Sequence, residues 1–402
     1  MMKFEDFNFK EDLHKSIHEL GFKFPTQIQE KSIPLILQGK DIIGESATGS
    51  GKTLAFGAGV IESVNHGEGL QALILTPTRE LAEQVKDVLV QIGKRLNIIA
   101  VYGGLAINPQ IDSLKNADVV IATPGRFKDH LQRRTVNTTN IRVLVLDEAD
   151  RMLDMGFIDD IEEIIRACPK EKQTMLFSAT IPSQIQRLSN RYLKNPVKVS
   201  ANKLVDPNKL KQVYYNVERN AKFSLLLHLL KSEKSELAMV FCNTRKSADV
   251  IAKNLRFNKI RAVGLHGGFS QNKRTSAVNA FKQGREKVLV CTDVAARGID
   301  IDNISHIYNY EIPKDPTDYV HRIGRTARAG EAGKVINLLC DYDHDNFSRV
   351  LHEHRSFTIE KVKTPKVDRA SLNRDTENMP RRNNFRRNGR RPERNNHRRY
   401  NS

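Results

Sequence analysis

Cysteine is scarce in this 402-residue chain and never doubled. Its four copies, Cys168, Cys242, Cys291 and Cys340, stand far apart with no C-x-x-C pair. That argues against a zinc knuckle or a disulfide framework and fits reduced, small apolar side chains. Long apolar runs are missing as well: no stretch approaches the roughly eighteen residues that crossing a bilayer requires. The first ten residues mix polar and aromatic side chains instead of following the basic-then-apolar order of an export signal. A soluble, cytoplasmic protein is expected. Acidic residues are short too, 47 Asp and Glu against 65 Lys and Arg, for a net charge of +18. Such an excess speaks of partners, not fold, and with the membrane set aside it favours another polyanion.

The length suits two domains of ordinary size plus a tail. Short β-branched runs at 71–77, 97–102, 118–123, 143–146 and 174–177 alternate with helical patterns. A similar series restarts after residue 210, at 237–241, 262–265, 287–291, 306–310 and 334–339. This alternation predicts two α/β domains, each a parallel sheet with helices on both faces. The organisation expected is domain 1 over 1–203, a linker over 204–210 where Pro207 and polar residues break both periodicities, domain 2 over 211–365, and a tail over 366–402. Residues 381–402 hold nine arginines and one glutamate, nearly half of the net charge, with Phe385 and Tyr400 as their only aromatics. That composition predicts a tail disordered until bound. Two roles stay open for it, an RNA tether or a solubilising appendage.

Residues 44–53 read G-E-S-A-T-G-S-G-K-T, and the apolar run 143–146 ends in Asp147-Glu148-Ala149-Asp150. Gly49 and Gly51 free the backbone to curl round phosphate oxygens, with Thr48 and Ser50 in the same turn. Lys52 then supplies a point charge to the β/γ-phosphates, Thr53 a hydroxyl to Mg²⁺, and Asp147 a carboxylate to the same ion, while Glu148 orients the attacking water. In an open parallel sheet the ligand belongs beyond the carboxyl ends of the strands, where these groups fall.

Further motifs follow in order: Gly21-Phe22 through Gln29, Pro77-Thr78-Arg79-Glu80-Leu81, Gly103-Gly104, Thr123-Pro124-Gly125-Arg126 and Ser178-Ala179-Thr180. After residue 211 come Val240-Phe241-Cys242-Asn243, His266-Gly267, Gln271 to Arg274, Thr292-Asp293 through Asp300, and His321-Arg322-Ile323-Gly324-Arg325-Thr326-Ala327-Arg328. From residue 4 to about 360 this constellation resembles the DEAD-box RNA helicase family.

The resemblance implies two tandem RecA-like domains with ATP in the cleft between them and RNA lying across both. It implies that Gln29 selects adenine, since one amide both donates and accepts, that Asp300 reaches the ribose, and that Arg325 and Arg328 are arginine fingers. It further implies that Asp150, Ser178, Thr180 and His321 couple hydrolysis to strand separation. The implied RNA contacts are Pro77, Thr78, Arg79, Gly104, Thr123, Pro124, Gly125 and Arg126 on domain 1, with Arg274 and Thr292 on domain 2. Such residues grip phosphate and sugar and carry little base information. Two readings of Phe4 and Phe22 remain open: packing partners of the base, or core phenylalanines. Departures are mild, with Ser46-Ala47 for a common Ala-Gln, Gln27 for a common Pro and Ala327 for a common Gly. The implied activity is ATP hydrolysis stimulated by RNA, with local separation of short duplexes. An ATP-gated RNA clamp or annealing chaperone is the alternative, and DNA unwinding a weaker one.

Overall fold

The computed structural model describes residues 2–46, 49–201, 210–233, 235–296, 301, 304–327, 332–355 and 357–373. They form two seven-stranded sheets in which every strand pairing is parallel. The first contains β1 (Ile42–Glu45), β2 (Ala72–Leu75), β3 (Ile98–Val101), β4 (Val119–Ala122), β5 (Val143–Asp147), β6 (Gln173–Ser178) and β7 (Val197–Ser200), in the order β3-β4-β2-β5-β6-β1-β7. The second contains β8 (Leu210–Asn216), β9 (Leu237–Phe241), β10 (Ala262–Leu265), β11 (Val288–Cys291), β12 (Ile304–Asn309), β13 (Gly333–Leu339) and β14 (Ile359–Lys361), in the order β10-β11-β9-β12-β13-β8-β14.

Alternation along the strands builds both faces of each sheet. Leu144 and Leu146 of β5 enter one core cluster, while Val143 and Val145 enter the cluster on the opposite face. Burial on both faces explains why the central strands read as continuous apolar runs. A separate N-terminal cluster forms around Phe4, Phe7, Phe9, Leu13 and Ile17 and packs on the helix Lys52–Ser63 through Leu54, Ala55 and Ala58.

Every strand expected from the sequence is present, with ends shifted by a residue or two. Four were not anticipated: β1, β7, β8 and β14. Leu210, placed in the linker by sequence, begins β8 and pairs with Gly333; the rest of that linker, 204–209, lies outside the described residues. The other boundary also moves. Residues 366–373, assigned to the tail, lie on the second domain: Val367 and Ala370 pack against its core, the Ala370 N–H donates to Ser224 Oγ (3.0 Å), and the Asn373 N–H donates to Asn254 Oδ1 (2.9 Å). The buried Ser224 and Asn254 side chains of the second domain thus satisfy an extended backbone that makes no sheet of its own. The arginine-rich stretch 381–402 lies outside the described residues.

Candidate active site and nucleic-acid interface

The phosphate loop leaves β1 and enters the helix Lys52–Ser63 through two glycines in the left-handed region, Gly49 with φ of +80° and Gly51 with φ of +90°. A side chain at either position would be strained, which is why the loop needs glycine there. Gly49 stands exposed on the loop, whereas Ser50 between them is buried, its Oγ 2.9 Å from that of Ser46. At Gly51 a second constraint acts, because a Cβ there would lie 2.4 Å from Gln29 Nε2. Gln29 binds the protein at both ends of its amide: Oε1 accepts from the Thr26 N–H (2.8 Å) and Nε2 donates to the Gly51 carbonyl (3.0 Å). Thr26 Oγ1 in turn donates to the Ser50 carbonyl (2.7 Å). Gln29 therefore ties the loop to the preceding helix, and one N–H and one lone pair stay available to a base. Lys52 is buried and donates to the Ser46 carbonyl at 2.8 Å. Thr53 follows it on the first helical turn.

The two phenylalanines part company. Phe4 is 2% exposed inside the N-terminal cluster, whereas Phe22 is 47% exposed with its ring 6.4 Å from that of Phe4. The core reading holds for Phe4, which backs Phe22 and offers no open face of its own.

Asp147 ends β5 and Glu148 follows it, both buried. Burial pushes the Asp147 carboxyl up to about 7, with Lys52 opposing and the Glu148 carboxylate adding to the rise. Glu148 has φ of +52°, a left-handed conformation costing on the order of 1–3 kcal/mol in a non-glycine residue. Its N–H is held by Asp147 Oδ1 at 3.0 Å. Asp150 is a hub: its N–H donates to Ser178 Oγ (3.1 Å), and its Oδ2 accepts from both the N–H and the Oγ1 of Thr180 (2.9 Å each). His321 Nε2 of the second domain lies 3.8 Å from the same Oδ2. Thr180 and His321 thus converge on the Asp150 carboxylate, while Ser178 holds the Asp150 backbone N–H.

Arg325 lies on the turn that follows the helix Pro316–Ile323 and is 5% exposed. The neighbouring Arg322, not singled out from the sequence, is the organiser of that turn. Its guanidinium grips both Asp293 oxygens (2.5 and 2.7 Å), the side-chain oxygens of Asn243 and Asn309 (3.0 Å each) and the Glu311 carbonyl (2.6 Å). Its signal was its place between His321 and Arg325 in one motif. Thr48, Asp300 and Arg328 lie outside the described residues.

A cleft of about 530 Å³ runs between the domains and is lined by Pro77, Thr78, Arg79, Thr123, Gly125, Arg126 and, from the second domain, Arg274. Glu80 accepts from Arg274 Nη2 across it at 3.0 Å. Local structure explains the residue types. Thr78 caps the helix Arg79–Ile92 by accepting from the Leu81 N–H (3.3 Å), and Pro124 occupies the first turn of the helix Pro124–Gln132, where a missing N–H costs nothing. Gly104 has φ of +87°, and a Cβ there would overlap the Arg79 guanidinium at 2.1 Å. Thr292 follows β11, with its carbonyl accepting from Ala295 and Ala296. Arg126 Nη2 donates to the Leu105 carbonyl (3.1 Å), whereas Arg126 Nη1 and Arg274 Nε are buried and have no hydrogen-bond partner among the described residues. Two orphaned guanidinium nitrogens along one cleft fit phosphate oxygens of a polynucleotide. Phe157 and Phe269 also line it and were not expected from the sequence.

Comparison with known proteins agrees with this geometry. The DEAD/DEAH box helicase family matches residues 26–188 and the helicase conserved C-terminal domain matches 221–330. The DEAD-box ATP-dependent RNA helicase CshA of Bacillus subtilis is 44% identical over 373 residues, spanning 91% of this chain and 75% of that one. Dbp5 of S. cerevisiae bound to RNA and ADP BeF3 superimposes with a TM-score of 0.83 at 32% identity, over 90% of this chain and 96% of Dbp5. A Dbp5 variant bound to Nup159, a Gle1 variant, IP6 and ADP gives 0.63 at 31% identity, over 89% and 96%. With coverage nearly equal, the domain arrangement here is closer to that of the RNA-bound Dbp5. Two parallel sheets, a phosphate loop facing Asp147-Glu148-Ala149-Asp150 and matches at this identity and coverage together place the chain in the DEAD-box family of ATP-dependent RNA helicases.

Proposed function

We propose that the chain binds ATP on the first domain, closes when RNA enters the interdomain cleft, hydrolyses ATP in the closed form and so separates short RNA duplexes locally. One observation carries the reading: the helix leading to Arg325 docks on the segment that begins at Glu148, while Arg79, Arg126 and Arg274 from both domains line a single cleft. In this mechanism the loop from Gly49 to Gly51 cradles the phosphates, Lys52 binds their β/γ-oxygens, Gln29 reads the adenine edge beside Phe22, and Asp300 reaches the ribose. Glu148 orients the attacking water, and Arg325 with Arg328 stabilises charge on the transferring phosphoryl group, a role that contributes about 10³ to 10⁵ in rate. Asp150, Ser178, Thr180 and His321 link the state of the phosphates to the closed arrangement.

The donor set also fits Mg²⁺. Asp147 and Glu148 bury two carboxyls beside Lys52, and burial above all, with the Glu148 charge adding, raises the Asp147 pKa, a cost that a hard dication would relieve. Thr53 and Asp147 would hold the ion. When bound it neutralises charge on the β/γ-oxygens.

Strand separation stays local because the energy is limited. At roughly 1.4 kcal/mol per base-pair step, a DNA value used as a scale, opening about five steps costs on the order of 7 kcal/mol. Binding a bent strand can supply that much, and a longer duplex would need translocation. The arginine-rich tail serves as an RNA tether, and contacts to 2′-hydroxyls favour RNA over DNA. A cytoplasmic address is supported by four buried, free cysteines, and no helix among the described residues is long and apolar enough to cross a membrane. The test is ATP-dependent displacement of a strand from a short RNA duplex with a single-stranded extension. Displacement should require ATP and fall steeply with duplex length; failure on every short duplex despite RNA-stimulated hydrolysis would defeat this reading in favour of clamping.

A further inference from the structure

Arg151 lies one residue past the carboxylate hub, in the helix Ala149–Asp154; its backbone N–H donates to Asp150 Oδ1, and its side chain turns away to Asp154 and Asp318, which have no part in the nucleotide site or the cleft described above. It is 3% exposed, and its Nη1 donates to Asp318 Oδ1 of the second domain at 2.6 Å and to Asp154 Oδ2 of its own helix at 3.4 Å. Asp318 stands one turn before His321 and Arg322 in the helix Pro316–Ile323. We propose that Arg151 and Asp318 form a closure latch, an interdomain ion pair that sets the register between the helix capped by Glu148 and the helix that leads to Arg325.

Three features support the latch. The two helices already share one contact, Asp150 to His321; a second, from Arg151 to Asp318, prevents rotation about the first. A charge-assisted hydrogen bond is short and directional, so it fixes geometry as well as adding energy. The third feature concerns the open form: Asp154 is within reach of Arg151 on its own helix, so domain separation need not strand a buried guanidinium. Adding a 2.6 Å contact to a long 3.4 Å one favours closure without trapping it. Arg151 is thus a positioning residue that acts through Glu148 and Arg325.

The inference rests on RNA-stimulated hydrolysis as proposed above. Its test compares the full-length wild type with Arg151→Ala, Asp318→Ala, the double variant and Arg151→Lys. Domain closure is read by energy transfer between one dye on each domain, in the presence of ADP, beryllium fluoride and a single-stranded oligouridylate. Each alanine variant should lower the closed fraction and raise the RNA concentration for half-maximal ATPase by about tenfold. ATP affinity without RNA should be unchanged, the double variant should be no worse than the weaker single one, and Arg151→Lys should recover part of the loss. Wild-type closure in both single variants, or strictly multiplicative effects in the double, would overturn the latch. So would a lowered unfolding temperature that weakens ATP binding alongside closure. Absence of RNA stimulation in the wild type would instead overturn the functional reading.

Discussion

Replacing Asp147 with asparagine should stabilise the nucleotide-free, metal-free protein while abolishing its turnover. The carboxyl has an ordinary value of 3.8 and is pushed to about 7 in the fold. A raised acid binds its proton more tightly when folded, so its contribution to stability is fully present below the unfolded value and is lost as pH rises through 7. At about 1.4 kcal/mol per unit the loss approaches roughly 4 kcal/mol by pH 8. Relaxation and water entry reduce this in real proteins, and about 2 kcal/mol, or a shift of roughly 4–8 °C for a domain near 200 residues, is a safer expectation. Unfolding followed at pH 5, 6, 7 and 8 in chelator should therefore show the wild type losing ground to Asp147→Asn as pH rises. A difference between the two proteins that stays constant across that range would refute the reasoning, because burial would then not be what perturbs Asp147. Adding MgATP should close the gap in the wild type alone.

Other expectations follow from the same geometry. Glu148→Gln should keep nucleotide and RNA affinity while steady-state ATPase collapses, checked by nucleotide titration beside turnover; near-normal turnover would remove Glu148 from the mechanism. Gly104→Ala places a Cβ on the Arg79 guanidinium in a left-handed conformation that itself costs about 1–2 kcal/mol. It should weaken RNA binding by about tenfold or more and leave ATP binding unchanged in a filter or anisotropy assay. Truncation before Arg381 removes nine arginines. It should flatten the log–log salt slope of single-strand binding by up to about 6 and leave the maximal RNA-stimulated rate nearly intact.

Sequence reasoning reached the central strands and the motif loops because both are written locally. A doubly buried strand is an unbroken apolar run, and a phosphate loop has fixed glycine, lysine and hydroxyl offsets; the positive φ at both Gly49 and Gly51 is the backbone form of that pattern. The strands it passed over carry weaker signals. Edge strands β7 and β14 are only partly buried, so their alternation is diluted by polar residues such as Lys198 and Glu360, and β1 is four residues that run directly into the phosphate loop. Arg322 was passed over because its importance lies in four partners from remote segments, 243, 293, 309 and 311, which no linear spacing reveals. Phe4 and Phe22 could not be separated by type alone; burial separates them. The docking of residues 366–373 was hidden for a related reason: it depends on side chains of Ser224 and Asn254, far upstream, and not on any pattern of its own.

The central claim is that hydrolysis needs both domains closed round RNA. Steady-state ATPase of the full-length chain, measured with and without a single-stranded RNA at saturating ATP, tests it most directly when run beside Arg325→Ala. The account predicts a low rate without RNA, a large rise with it, and loss of that rise in Arg325→Ala with ATP affinity retained. Equal rates with and without RNA, or full stimulation in the variant, would contradict it.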